Sequence, residues 1–179
     1  MSPHLVFDLE TIPDAHGIRQ LMQFDEELSD AEVVELAQQQ RLEQTGSDFM
    51  PLHLQKIVAS GCVFRNKNDF HVKCLGEPDD DEASLVRSFF IVIDHYTPTI
   101  VSWNGSGFDF PVLHYRALIH GIASRRYWDK GQDDRDFKFN NYLSRYHDRH
   151  VDLMDVLSGY TFKANAPLDQ LAKLCGFPG

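Results

Sequence analysis

The spacing of apolar residues along the chain alternates between two kinds of element. "HLVFDLETIP" opens with the strand formers Leu5, Val6 and Phe7 and ends on two acids, Asp8 and Glu10, before Pro13 stops or turns it. The stretch "FDEELSDAEVVELAQQQRLEQTGSD" reads as a helix, with Ser29 as N-cap and Glu32 completing a capping box. Val33, Leu36, Ala37 and Leu42 fall near helical spacing, and Gly46 with Ser47 closes the helix. "LQKIVASGCVF" and "DFHVKCLG" then read as two strands joined by the hairpin-like turn "RNKND". "EASLVRSFFIVIDHY" has an amphipathic helical pattern, "TIVSWN" that of a short buried strand, and "FPVLHYRALIHG" that of a further helix. The polar stretch "WDKGQDDRDFKFNNYLSRYHDRH" predicts an exposed loop with short helical turns, with Tyr142 and Tyr146 as loop residues. "HVDLMDVL" and "PLDQLAKLCG" suggest a strand end followed by helices, with Gly176 as a C-cap. This order predicts an α/β fold in which helices flank a mixed β-sheet.

Composition narrows the possible functions. The chain has 179 residues, enough for one domain with a sizeable core, and an apolar content of 42%. Seventeen basic residues against 27 acidic ones give a net charge of −10. That balance argues against a broad grip on duplex DNA or on an anionic membrane, though not against a short, metal-mediated contact with a nucleic-acid end. Cys62, Cys74 and Cys175 form no C-x-x-C pair and suggest neither a zinc site nor a disulfide framework, so a reducing cytoplasm fits best. No apolar run approaches the roughly 18 residues of a membrane span, and the N-terminus lacks a signal-peptide pattern. The acidic run "EPDDDEA" reads as a solvated turn and helix start, with metal binding as the alternative.

Two stretches carry chemistry. In a strand, residues two apart share a face, so Asp8 and Glu10 converge while Leu9 points to the core. Neighbouring carboxylates repel, and a hard divalent cation resolves the conflict; alone, the pair reads equally as a solvated strand end. The second stretch, "IVSWNGSGFDFPVL", runs a buried strand into Asn104, turns on Gly105 and Gly107, and sets Asp109 at a helix start with Pro111 in the first turn. Asp109 alone would pass for a helix cap, and Asn104 for a turn residue. Three carboxylates brought together by one sheet point to a metal.

"FDLET" followed about a hundred residues later by "NGSGFD" resembles the first two motifs of the DEDD (DnaQ-like) 3′–5′ exonucleases. The pattern is most similar to the predicted exonucleases related to the proofreading domain of family-B DNA polymerases. The resemblance extends to "HVDLMDVL" and "PLDQLAKLCGF" and is weakest around residues 14–55. It implies a ribonuclease-H-like fold and a single exonuclease-like domain over residues 1–179. It also implies hydrolysis of phosphodiester bonds at nucleic-acid 3′ ends, with single-stranded DNA favoured. Asp8, Glu10 and Asp109 match the first three acids and would be the catalytic ligands of two divalent cations, Mg2+ or Mn2+. Thr11, Asn104 and Phe108 match positions that would contact substrate, although packing for Phe108 and turn support for Asn104 are the plainer roles.

The pattern breaks at its third motif, a Tyr or His followed by a fourth acid. His147 and Asp152 have the H-x-x-x-x-D spacing but precede the "PLDQLAKLCG" helix, whereas the family's third motif follows it. Asp152 and Asp155 therefore read as strand-end and cap residues, and the missing motif is expected on a C-terminal helix beyond Gly179. His114 and His120 lie six apart on one helix, on different faces, and form no zinc pair. The alternatives are a catalytically weak nucleic-acid-binding module of the same fold and a phosphatase using Asp8 as nucleophile. The phosphatase reading rests on the likeness of "DLET" to the D-x-D motif of haloacid-dehalogenase-like enzymes, from which it departs in its second acid and in the position of its Thr.

Overall fold

Alternation along the first strand sorts the two faces of the sheet. A computed structural model describes residues 3–67, 69–76 and 79–178. β1 (His4–Pro13) buries Leu5, Phe7 and Leu9 and leaves His4, Val6, Asp8 and Glu10 exposed on the other face. β2 (Gln55–Asn66) and β3 (Asp69–Cys74) follow as an antiparallel pair beside β1. β4 (Thr99–Ser102) lies parallel to β1 on its other edge, and β5 (His150–Asp152) lies parallel to β4. The sheet is mixed, as the order of elements predicted, and its strands run in the order β3-β2-β1-β4-β5. Asn68 of the expected hairpin turn, and Glu77 and Pro78 of the acidic run, lie outside the described residues.

Two helices cover the apolar face. α3 (Glu82–Tyr96) starts on Asp81, whose side chain accepts from the Ser84 N–H, so the acidic run does begin a helix. α4 (Asp109–Ile119) packs beside it. Phe7 lies 4.5 Å from Phe89 and 5.9 Å from Phe110, ring centre to ring centre, and Leu5, Leu9, Ile93 and Leu113 fill the same core. The opposite face carries a continuous valine row. The strand registers align Val72, Val63, Val6, Val101 and Val151 across all five strands, with Val6 and Val72 well exposed.

The chain between β1 and β2 folds as two helices. α2 (Asp30–Thr45) has the expected capping box at Ser29 and Glu32 and ends on a left-handed Gly46. α1 (Ala15–Met22) was not expected; Asp14 caps it through the Gly17 N–H. Ile18 of α1 meets Val33 and Ala37 of α2, and Met50 and Leu54, in a second small core. The expectation of an exposed loop after α4 also needs correction. Tyr127, Phe137 and Tyr142 are buried, and the Tyr142 hydroxyl donates to the Pro98 carbonyl at 2.6 Å. The polar residues around them organise the backbone: the Asp129 carboxylate accepts from the N–H groups of Gly131, Gln132, Asp133 and Asp134. The short turn Arg135–Lys138 is 3-10 helical. α5 (Leu153–Leu157) and α6 (Leu168–Leu174) follow β5, and Gly176 is left-handed just past α6.

A buried ion pair fastens the layers. Arg116 of α4 donates through Nε to Glu82 at 2.6 Å and through Nη1 to Asp14 at 2.6 Å, and Nη2 bonds Glu82 as well. Glu82 also accepts from the Ile57 N–H at 2.7 Å and shares a hydrogen bond with His120. α1, β2, α3 and α4 are thus tied at one point. No helix among the described residues is long and apolar enough to cross a membrane.

Candidate active site

The acid pair stands where β1 outruns its neighbour. β4 pairs with β1 only as far as Val6 opposite Val101, so the edge of β1 beyond that point needs other partners. On the β2 side, Asp8 lies opposite Gly61, where an added Cβ would meet open space. The register shifts between Glu10, opposite Ala59, and Thr11, opposite Ile57, so that Val58 forms a bulge beside the acids. Bulges of this kind twist a strand and re-aim its side chains, and they are common beside active sites.

The third acid comes from the β4–α4 junction. The chain leaves β4 through Asn104, held at φ +60°, whose carbonyl accepts from Gly107 N at 2.9 Å and Phe108 N at 3.0 Å. A Cβ on Gly105 would strike the Ser102 hydroxyl and the Phe110 ring, and one on Gly107 would lie 2.5 Å from the Asn104 side-chain oxygen. Asp152 at the end of β5 clamps the turn: its carboxylate accepts from Asn104 N and Ser106 N, both at 2.9 Å, and caps α5 through Met154 N at 3.2 Å. Asp109 is the first residue of α4, not its cap. Its Oδ1 accepts from the Leu9 N–H at 3.0 Å, which docks the carboxylate on the backbone between Asp8 and Glu10. Asp109 is only 3% exposed. Burial, then the charge of Asp8, and least that of Asp152, push its pKa up to about 6 against the pull of the Leu9 N–H bond and its own backbone N–H.

The structure thus brings Asp109 to the Asp8–Leu9–Glu10 segment. It does not gather three carboxylates into one cation cage: among the described residues no group of three or more His, Cys, Asp or Glu has that arrangement. The donor chemistry nonetheless suits a hard divalent ion, because these ligands are all carboxylates and Asp109 already suffers from an uncompensated neighbouring charge.

The other sequence candidates have partners within the fold. Thr11 donates to Gln55 Oε1 at 3.2 Å, and Gln55 Nε2 in turn donates to the Met50 carbonyl at 2.9 Å. Phe108 is half-buried against the main core, with its ring 6.1 Å from that of Phe49. His147 accepts from Asn141 N at 3.0 Å, so the H-x-x-x-x-D pair serves two separate turns. His114 shares a hydrogen bond with the Tyr127 hydroxyl, and His150 with Ser102. Burial pushes both imidazoles down to about 4, so both are neutral at pH 7. The contacts of Gln55 with Thr11 and of Phe49 with Phe108 were not expected from the sequence. An aromatic just ahead of Met-Pro, in the connector after a glycine-terminated helix, was the available sign.

Comparison with known proteins bears on these features together. A family described as predicted 3′–5′ exonucleases related to the exonuclease domain of PolB matches residues 47–179. The chain belongs to this family. The matched stretch contains Asn104, Phe108 and Asp109, and Asp8 and Glu10 precede it. The catalytic subunit of DNA polymerase epsilon from Saccharomyces cerevisiae is 42% identical over 45 residues, 25% of this chain and 2% of the polymerase. The structure of the family B DNA polymerase from the hyperthermophilic archaeon Pyrobaculum calidifontis superposes with a TM-score of 0.53. That likeness covers 98% of this chain and 18% of the polymerase at 16% identity, and it establishes the fold. The chain therefore spans a small part of either polymerase, and the ribonuclease-H-like fold implied by the motifs agrees with both the family and the structural neighbour.

Proposed function

We propose that the protein is a divalent-metal-dependent 3′–5′ exonuclease that removes nucleotides from nucleic-acid 3′ ends, with single-stranded DNA favoured. The observation that carries this reading is the junction of Asp109 with Leu9, which sets a buried, charge-strained carboxylate between Asp8 and Glu10. Asp8, Glu10 and Asp109 would hold two cations, Mg2+ or Mn2+. When bound, these ions supply Lewis acidity at the scissile phosphate and a water of lowered pKa. The chain's own residues do the positioning. The Leu9 N–H orients Asp109, while Asp152 holds the turn that delivers it. Thr11, Asn104 and Phe108 are assigned to the terminal nucleotide and the turn around it. A net charge of −10 fits capture of one strand end better than a long grip on phosphates.

A second reading, a nucleic-acid-binding module without turnover, is favoured by one observation: the described carboxylates do not converge on a common cation position.

Incubation of a 5′-labelled single strand with the protein and Mn2+ separates the two. The expected result is a ladder shortening from the 3′ end, slowed at least ~100-fold by Asp8→Ala. Binding without shortening supports the second reading. A ladder unchanged by Asp8→Ala removes the carboxylate mechanism.

A further inference from the structure

β3 closes one edge of the sheet, and every residue in it is exposed. Its ladder with β2 runs without a break from Asp69 opposite Asn66 to Cys74 opposite Gly61, and Leu75 N extends it with a bond to the Ser60 carbonyl at 2.8 Å. Bonding alternates along an antiparallel ladder, so Asp69, His71 and Lys73 turn their backbone groups towards β2. Phe70, Val72 and Cys74 turn theirs outward, away from the sheet. Side chains alternate as well. Asp69, His71 and Lys73 stand on the α3 face, where they line a cavity of about 400 Å³ with Phe64 and Tyr96. Phe70 and Val72 stand on the valine face, 65% and 69% exposed. A guarded edge carries charge or proline; this one sets a phenylalanine and a valine between its charges. Among the described residues neither Asp69 nor Lys73 has an ion-pair partner in its own chain.

We propose that β3 docks edge to edge on β3 of a second copy of this chain, antiparallel about a two-fold axis at His71. The strand's own sequence fits this register. Phe70 lies opposite Val72 of the second copy, and the two exchange both backbone bonds, using groups that otherwise face water. The same two side chains form an aromatic–β-branched cross-strand pair. Asp69 lies opposite Lys73 of the second copy, at a position without backbone bonds, where side chains come closest; the symmetry repeats this pair. His71 meets its symmetry mate on the axis. Neighbouring registers lose the match. An axis at Val72 sets His71 against Lys73, and an axis at Phe70 sets Lys73 against Lys67. Docking in this way joins two five-stranded sheets into one, with α3 of both copies on the same face. The paired strand is short, so the dimer is reversible and forms with concentration. This inference is independent of the activity proposed above.

Sedimentation equilibrium of the whole chain in low salt, at about pH 8 where free imidazole is neutral, reads the association. The expected result is a monomer–dimer equilibrium with a Kd below about 1 mM. Asp69→Lys and Lys73→Asp each turn both attractive pairs into repulsive ones, and each should weaken the dimer about 10-fold or more. An equal mixture of these two variants should associate as the unsubstituted chain does, because in the mixed dimer every lysine again meets an aspartate. Val72→Pro removes an outward N–H, leaves the ladder with β2 in place, and should weaken the dimer by a similar factor. The substituted side chains are all exposed, and an unchanged circular dichroism spectrum establishes that each variant is folded. If Val72→Pro fails to fold, the charge exchange decides alone. A chain that stays monomeric up to about 1 mM overturns the docking. So does a dimer that the charge changes leave unaltered, and so does a mixture that associates no better than its two components.

Discussion

Replacing Asp109 by Asn should make the metal-free protein more stable at neutral pH, an unusual outcome for a polar residue in contact with the core. Asp109 is nearly inaccessible, and burial followed by the Asp8 charge raises its pKa from the ordinary 3.8 to about 6. The folded state therefore holds this proton more tightly than the unfolded state. Below about pH 4 the carboxyl is protonated in both states and nothing is lost. As pH rises from about 4 to 6 the unfolded chain releases the proton first, so stability falls, and above about 6 the loss is complete. Each tenfold change in proton affinity is worth about 1.4 kcal/mol, so the full loss approaches about 3 kcal/mol. Asn has no charge to bury and can still accept from the Leu9 N–H. Asp109→Asn should thus gain up to about 3 kcal/mol at pH 7, or about 6–12 °C in Tm for a chain of this length. The gain should shrink towards zero by pH 4. Urea unfolding in EDTA across pH 4–8 measures it. Mn2+ at about 1,000 times its Kd should then reverse the order, since it adds about 4.1 kcal/mol only to the protein that binds it. A variant less stable than the parent at pH 7 in EDTA, or a difference that does not change with pH, would refute this reasoning.

Arg116→Leu should destabilise the fold by about 3–5 kcal/mol in urea unfolding, because it strands the buried Glu82 carboxylate and the Asp14 cap of α1 without their shared cation. Asp152→Ala removes the acceptor for three backbone N–H groups, and should cost about 2–4 kcal/mol in stability. It should also lower exonuclease turnover, because the turn that delivers Asp109 is released; Asp152→Asn, which keeps one acceptor oxygen, should fall between the two in both measurements.

Local signals carried most of the fold. The Ser29–Glu32 capping box, the Asp81 cap and the alternation around Leu5, Phe7 and Leu9 each act over a few residues, and all can be read in sequence order. α1 escaped because Asp14 caps it directly after the strand-ending Pro13, so only one residue marks the change of element. Its sign was Ile18, Leu21 and Met22 at helical spacing behind a capping acid. The segment after α4 misled because its polar residues bond backbone and one another, as Asp129 does with four N–H groups, while Tyr127, Phe137 and Tyr142 carry the burial. At the site, the D-x-E face was legible from strand geometry. The bond from Leu9 N to Asp109 was not, because it spans a hundred residues and arises only once β4 stops pairing with β1. The pairing of Phe49 with Phe108 was hidden for the same reason.

The central claim, that Asp8, Glu10 and Asp109 together hold the metal that acts on a 3′ end, is tested most directly by a crystal of the protein soaked with Mn2+ and a nucleoside monophosphate. An anomalous manganese peak within about 2.0–2.6 Å of carboxylate oxygens from both Asp8 and Asp109, with the nucleotide phosphate on the same ion, is the expected result. Manganese bound elsewhere, or Asp109 still turned to Leu9 N with no ion at either acid in saturating Mn2+, would contradict it.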